Sequence, residues 1–271
     1  PKPVGRIAGG GILFDGKDLA SQSEERMRTI RGNRISMIFQ EPMTSLNPVF
    51  KVGMQIDEVI ALHNEGMKSE EVKARTIEMI KLVGIANAEG VYEMYPHELS
   101  GGMRQRAMIA MALACTPKLI IADEPTTALD VTIQAQIFEL MMKLKEEFNT
   151  AILLITHDMG VVNEVSDDMA VMYMGNMVES GGTKEVLKNP CHPYTKALLE
   201  SIPILGKGRN QNLEPIKGST PDPYQRPVGC QFKDRCNYRS EKCEEMPPEE
   251  IVQGEHMVRC WHWKEVLEDG K

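Results

Sequence analysis

The chain has 271 residues, 42% hydrophobic and 26% charged, which is ample for a core and close to globular averages. Its 31 basic and 39 acidic residues leave a net charge of −8, against a general nucleic-acid binder, whose footprint is basic. No apolar run approaches the roughly 18 residues of a membrane span. In chain order, "GGGILFDGKDL" (9–19) reads as a glycine-bounded strand with a DG turn, and "RISMIFQ" (34–40) as a second strand. "EPMTSLNP" (41–48) is a loop of turn formers. Helices are expected over about 53–64 and 69–83, the second capped by Ser69 and stopped at Gly84. A further helix runs from about Gly102 to Cys115. "KLIIADEP" reads as a buried parallel strand, 131–148 as a helix, and "AILLITHD" (151–158) as a third buried strand. A short helix follows, and "DMAVMYMGNMVESG" suggests two strands around a turn at Gly175 and Asn176.

Strands alternating with helices from about 102 to 173 predict an α/β fold with a parallel sheet. The helix-only stretch before it, about 47–100, reads as an inserted helical subdomain. After Ser201 the composition turns Pro- and Gly-rich, so the expected division is a main domain over 1–202 and a linker with a Cys-rich tail over 203–271. Cys115 reads as a small buried hydrophobe. Cys191 lies in an "NPCHPY" loop with no evident partner, and His256 and His262 read as solvated tail residues.

The chemistry-bearing residues gather at strand ends. Asp123 and Glu124 close "LIIADE", where ligands bind beyond the carboxyl ends of open α/β sheets. Asp123 could reach Mg²⁺ and Glu124 could polarise a water. His157 and Gln40 end two other strands. Taken singly, each has a plainer reading as a cap, a turn or a structural histidine. "LSGGMRQR" (99–106) places Ser100, Gly101 and Gly102 at a helix start, a site suited to an anion because the first N–H groups lack internal partners. No G-x-x-x-x-G-K-[ST] loop accompanies it.

In this order, Gln40, "LSGGMRQR", "LIIADE", "TTALD" and "LLITHD" resemble the Q-loop, signature, Walker B, D-loop and switch histidine of the ATP-binding-cassette ATPases. The resemblance covers residues 1 to about 200. It implies the P-loop ATPase fold, with a parallel sheet lacking its N-terminal part here, an inserted helical subdomain, and ATP and Mg²⁺ as ligands. By that resemblance Glu124 is the general base and His157 senses the γ-phosphate. Asp123 assists Mg²⁺, Gln40 links the metal and the attacking water to the membrane partner, and Asp130 lies at the interface of two ATPase subunits. Ser100, Gly101 and Gly102 then contact the γ-phosphate held by a second ATPase subunit. The family's Walker A loop is expected upstream of Pro1 in a longer protein, and the fragment alone is expected to be inactive.

"QEPMTSLNPVFKVG" (40–53), "YPHELSGGMRQRAMIA" (95–110) and "HPYTKALLESIP" (192–203) resemble the oligopeptide, dipeptide and nickel importer branch. That implies an ATPase partner, identical or related, two transmembrane permease subunits, and an extracytoplasmic peptide-binding protein. It also implies peripheral placement at the cytoplasmic face of the inner membrane, with no nucleic-acid partner. Cys230, Cys236, Cys243 and Cys260 follow a C-x₅-C-x₆-C-x₁₆-C spacing that can hold a [4Fe–4S] cluster or tetrahedral Zn²⁺. The branch resemblance favours the cluster. Two other readings stand beside the peptide-importer ATPase: a non-catalytic cassette partner with a metal-binding tail, and a non-transport cassette ATPase.

Overall fold

β1 (Leu13–Phe14) and β2 (Lys17–Asp18) make a hairpin closed by Asp15 and Gly16, both at positive φ (48° and 71°), as a two-residue DG turn requires. They belong to a computed structural model that describes residues 5, 7–41, 45–127, 129–201 and 216–269. Parts of the 41–48 loop, of "TTALD" and of the linker, as well as Pro1, lie outside those residues. The chain divides into two units, Pro1–Thr156 and His157–Lys271.

In the first unit β3 (Ile35–Ile38), β4 (Leu119–Asp123) and β5 (Ala151–Ile155) form a parallel sheet in that order. Parallel neighbours need long crossovers. The crossover from β3 to β4 carries α2 (Val52–His63), α3 (Ser69–Leu82), α4 (Ala88–Glu93) and α5 (Gly101–Leu113), after a short α1 (Glu24–Arg28) that precedes β3. The crossover from β4 to β5 is α6 (Val131–Phe148). α6 buries Ile137, Leu140, Met141 and Leu144 along one stripe, the helical period. α5 is buried almost all round from Ala107 to Leu113, which makes it the centre of the core. Each fully buried Ile, Leu or Met there contributes about 1.5–3 kcal/mol. Asp57 of α2 ties the helical stretch together, accepting from Thr76 Oγ1 and Tyr92 OH, each at 2.5 Å. Burial, then the neighbouring Asp57 carboxylate, pushes the Tyr92 hydroxyl up to about 12.

Two local expectations change. Ser69 is the first helical residue of α3 rather than its cap; Lys68 holds the extended cap position and donates its N–H to Glu71 Oε2 at 2.8 Å. β5 is half-buried rather than buried, with Leu153 53% and Ile155 46% exposed, because only its Ile152 and Leu154 face packs on the core.

The second unit opens with α7 (Met159–Val165) and a four-stranded antiparallel sheet in the order β6 (Asp168–Tyr173), β7 (Asn176–Gly182), β9 (His256–Val258), β8 (Glu250–Gln253). Tyr173 pairs with Asn176, so the turn residues are Met174 and Gly175, one position earlier than the sequence suggests. α8 (Thr183–Lys188), α9 (Pro193–Glu200) and α10 (Trp263–Glu268) complete the unit. The composition change after Ser201 falls inside it, and the tail strand β9 pairs with β7, Val258 opposite Glu179. Phe232 carries the tail loop onto Tyr173, ring centroids 5.2 Å apart and edge to face.

Gly229 sets the start of that loop. Its φ is +75°, and an added Cβ would lie 2.4 Å from the Glu244 backbone carbonyl group. Gly229→Ala is therefore expected to destabilise the second unit by about 3 kcal/mol, through left-handed strain and a backbone clash. A denaturant midpoint unchanged from the parent would refute this.

Candidate functional site

The register of the parallel sheet explains the first contact. Ile38 stands opposite Ala122, so Gln40 and Glu124, each two residues further on, emerge at the same carboxyl end. Gln40 Nε2 donates to Glu124 Oε2 at 2.9 Å. Asp123 ends β4 opposite Ile155, half-buried. Glu124 sits in left-handed backbone (φ 43°), its N–H donating to the Ile155 carbonyl at 2.9 Å. The chain then turns sharply: Thr127 N–H donates to the Glu124 carbonyl at 3.1 Å, and the Thr127 hydroxyl donates to Glu124 Oε2 at 2.8 Å. Asp130 caps α6, its Oδ1 accepting the Ile133 N–H at 3.0 Å.

Ser100 caps α5, its hydroxyl oxygen accepting the Met103 N–H at 3.3 Å. Ser100 and Gly101 are exposed, Gly102 is half-buried, and the first turn holds no acidic side chain. The helix start therefore keeps an undiminished positive end toward solvent, the arrangement that receives anions. Arg104 and Arg106 each bond to a backbone carbonyl outside the helix. Arg104 Nε donates to the Pro96 carbonyl at 2.7 Å and Arg106 Nη1 to the Val83 carbonyl at 2.5 Å, locking the helix to its neighbours. His157 follows β5, is exposed, and opens the second unit ahead of Asp158, which caps α7 through Oδ1.

Sequence reading passed over three residues around Glu124. Gln105 of α5 donates to the Pro125 carbonyl, Gln134 of α6 to the Thr126 carbonyl at 3.2 Å, and Thr127 to Glu124 itself. Only Thr127 had a local signal, its i+3 spacing from Glu124 across a proline turn.

In the second unit the four tail cysteines converge. Cys230 N–H donates to the Cys243 carbonyl at 3.0 Å, and the sulfurs of Cys236 and Cys260 accept the N–H groups of Tyr238 and His262, each at 3.3 Å. Burial foremost, with some contribution from the other thiols, pushes Cys260 up to about 12 and Cys236 up to about 11. The neutral thiol is thereby favoured at both positions. Among the described residues, the group of three donors whose ligand atoms all lie within 4.8 Å of one another is Glu179, Cys191 and His256.

Glu179, Cys191 and His256 fill one another's needs. The Glu179 carboxylate accepts the N–H groups of Cys191 (2.6 Å) and His192 (3.0 Å) and hydrogen bonds His256 Nε2 (2.8 Å), all fully buried. That knot fastens β9 and the α8–α9 loop to β7. His256 is thus a buried structural residue, not a solvated one, because β9 is drawn into the sheet. Cys191 also has a partner, the Asn189 carbonyl at 3.3 Å from its sulfur, and burial followed by the Glu179 charge pushes its thiol up to about 12. Burial drives His192 down to about 3, in keeping with its Nδ1 accepting the Tyr194 N–H. His262 is held by the Ser240 hydroxyl at 2.7 Å and is likewise not free in solvent. Cys115 is half-buried, its thiol donating to the Val59 carbonyl.

Comparisons with known proteins agree with this arrangement. Residues 4–127 match the family described as ABC transporter, and residues 178–243 match the oligopeptide/dipeptide transporter C-terminal region. The chain is 51% identical over 262 residues to the oligopeptide transport ATP-binding protein AppD of Bacillus subtilis (strain 168), covering 96% of this chain and 79% of that protein. It is 47% identical over 256 residues to the dipeptide transport ATP-binding protein DppD of Haemophilus influenzae, covering 94% and 77%. Among solved structures, an ATP-binding cassette captured as a post-hydrolysis dimer with ADP and Pi superposes with a TM-score of 0.59 at 27% identity, over 66% of this chain and 75% of that one. A sheet that brings Gln40 to Glu124, a capped glycine helix start and likeness along nearly the whole chain lead to one assignment: the chain belongs to the ABC transporter ATPases, in the group with the oligopeptide/dipeptide transporter C-terminal region.

Proposed function

We propose that this chain hydrolyses ATP to drive a peptide importer, with Glu124 accepting the proton of the attacking water. The observation that carries this is the joint between Gln40 and Glu124 at the carboxyl end of β3 and β4. There a side chain from the loop leading toward a membrane partner holds the carboxylate that does the chemistry. Asp123, one residue earlier, is assigned to assist Mg²⁺ together with Gln40, and the metal when bound would neutralise charge on the transferring phosphate. His157 is assigned to sense the γ-phosphate and Asp130 to line the contact with a second ATPase subunit. Ser100, Gly101 and Gly102 are assigned to the γ-phosphate carried by that second subunit, because they open a helix whose start leaves Ser100 and Gly101 exposed.

The transported substrate is proposed to be an oligopeptide or dipeptide, delivered by an extracytoplasmic binding protein to two permease subunits. Among the described residues no helix is long and apolar enough to cross a membrane, so passage itself falls to those partners. Exposed Val49, Phe50 and Met54 just beyond the Q-loop supply apolar surface for a permease helix, which would hold this chain at the cytoplasmic face of the membrane. Peptide-stimulated ATP hydrolysis by the subunit assembled with its permease pair and binding protein in vesicles tests the reading. A rate indifferent to added peptide would overturn it.

Cys230, Cys236, Cys243 and Cys260 are proposed to hold a [4Fe–4S] cluster as a staple for a tail with little core of its own. Protein purified without oxygen is expected to carry iron and acid-labile sulfide in equal amounts, with broad absorption in the blue. Cys243→Ser is expected to lose both. Stoichiometric zinc without iron would assign the site to zinc instead.

A further inference from the structure

Three successive carbonyls in the turn after β4 are held. The Glu124 carbonyl accepts the Thr127 N–H, the Pro125 carbonyl accepts Gln105 Nε2, and the Thr126 carbonyl accepts Gln134 Nε2 and the Leu129 N–H. Gln105 is 1% exposed, so no water competes for its amide. Pro125 removes one rotation from the backbone, and Glu124 lies in left-handed backbone that a glutamate adopts only under constraint. A turn pinned at three successive carbonyls fixes where the Thr127 hydroxyl points. It points back at the carboxylate, donating to Glu124 Oε2 at 2.8 Å. Gln40 Nε2 donates to that same oxygen at 2.9 Å.

The two donors differ in origin. Gln40 comes from a different strand, through an exposed stretch of chain. Thr127 comes from the same turn as Glu124, and its backbone is fastened to it. The hydroxyl can therefore hold the carboxylate whatever Gln40 does.

We propose that Thr127 is a positioning residue for Glu124, its hydroxyl keeping the carboxylate in one orientation for the attacking water. The proposal rests on the reading of Glu124 as general base. In that step the water oxygen bonds to the γ-phosphorus, the bond to the bridging oxygen of ADP breaks, and the water proton passes to the carboxylate. A base free to rotate loses its alignment with that proton, and misplacement by about 1 Å costs about 10²-fold.

Thr127→Val keeps the shape and removes the hydroxyl. In the assembled ATPase it is expected to lower kcat about 10- to 100-fold while KM for ATP stays within about twofold. Thr127→Ser is expected to recover kcat to within about threefold of the parent, with the same melting temperature. In a Glu124→Gln background, adding Thr127→Val is expected to change the residual rate no further, since a residue that acts through another has nothing left to act on. Normal kcat in Thr127→Val, no recovery by Thr127→Ser, or a further loss on top of Glu124→Gln would each overturn the proposal while leaving the base assignment standing. Normal turnover in Glu124→Gln would overturn the base assignment and this proposal with it.

Discussion

Glu124→Gln is expected to lower the turnover of the assembled ATPase by about 10²–10⁴-fold, or roughly 3–5 kcal/mol in barrier height. The change is informative because the surroundings of the side chain survive it. Gln40 and Thr127 both donate to Oε2 of Glu124, and the amide oxygen of glutamine can take both bonds in the same place. The backbone N–H still reaches the Ile155 carbonyl and the turn is still pinned by Gln105 and Gln134. What disappears is the carboxylate, and with it the group that accepts the proton of the attacking water. ATP binding should persist, and two subunits should accumulate around unhydrolysed nucleotide, visible as an ATP-dependent shift to dimer in size-exclusion chromatography. Turnover near the parent rate would place the base elsewhere. Loss of ATP binding together with turnover would make Glu124 a ligand of the bound state rather than a participant in its breakdown.

The strand ends proposed to carry this chemistry were legible because they obey local rules. "LIIAD" and "RISMI" are apolar runs cut off by polar residues, and Asp130 and Ser100 stand where helix caps belong. What local rules cannot supply is register. That Gln40 meets Glu124 depends on Ile38 pairing with Ala122 across 84 positions of chain, and no window of sequence encodes that offset. Gln105 shows the same limit from another side. A glutamine flanked by two arginines reads as solvated, yet α5 is packed on nearly every side, and the amide is satisfied only by a carbonyl of the turn after β4. The tail misled most. "EEIVQGEHMVRC" is charged and short, the pattern of a solvated edge, but β9 adds to β7 and draws His256 to 2% exposure beside Glu179, 77 positions earlier. Side-chain character told the eye to expect water there; strand pairing decided otherwise.

Gly101→Asp is expected to leave this chain folded and to silence hydrolysis in the pair. A Cβ at Gly101 would meet only Leu129 Cδ2, at an ordinary contact distance of 3.7 Å. A carboxylate in the first turn of α5, which has none, gains from the helix dipole by about 0.3–1 kcal/mol. Within its own subunit the substitution is therefore neutral or slightly stabilising. Its effect is felt only if the helix start faces a phosphate brought by the neighbour, where a second negative charge meets the triphosphate instead of a cluster of N–H donors. The rate of the assembled ATPase should then fall about 10²–10³-fold, the range seen when a donor to developing charge is lost. Gly101→Asn, similar in size and uncharged, should cost about tenfold or less, which separates repulsion from crowding. Nucleotide affinity measured on the isolated subunit should be the same for parent and both variants. Where the two subunits are distinguishable, Gly101→Asp in this chain alone should quench the site whose nucleotide is held by the other chain. Equal loss of binding in the isolated subunit would mean that α5 serves a phosphate of its own chain, and the division of labour between the two subunits would have to be redrawn.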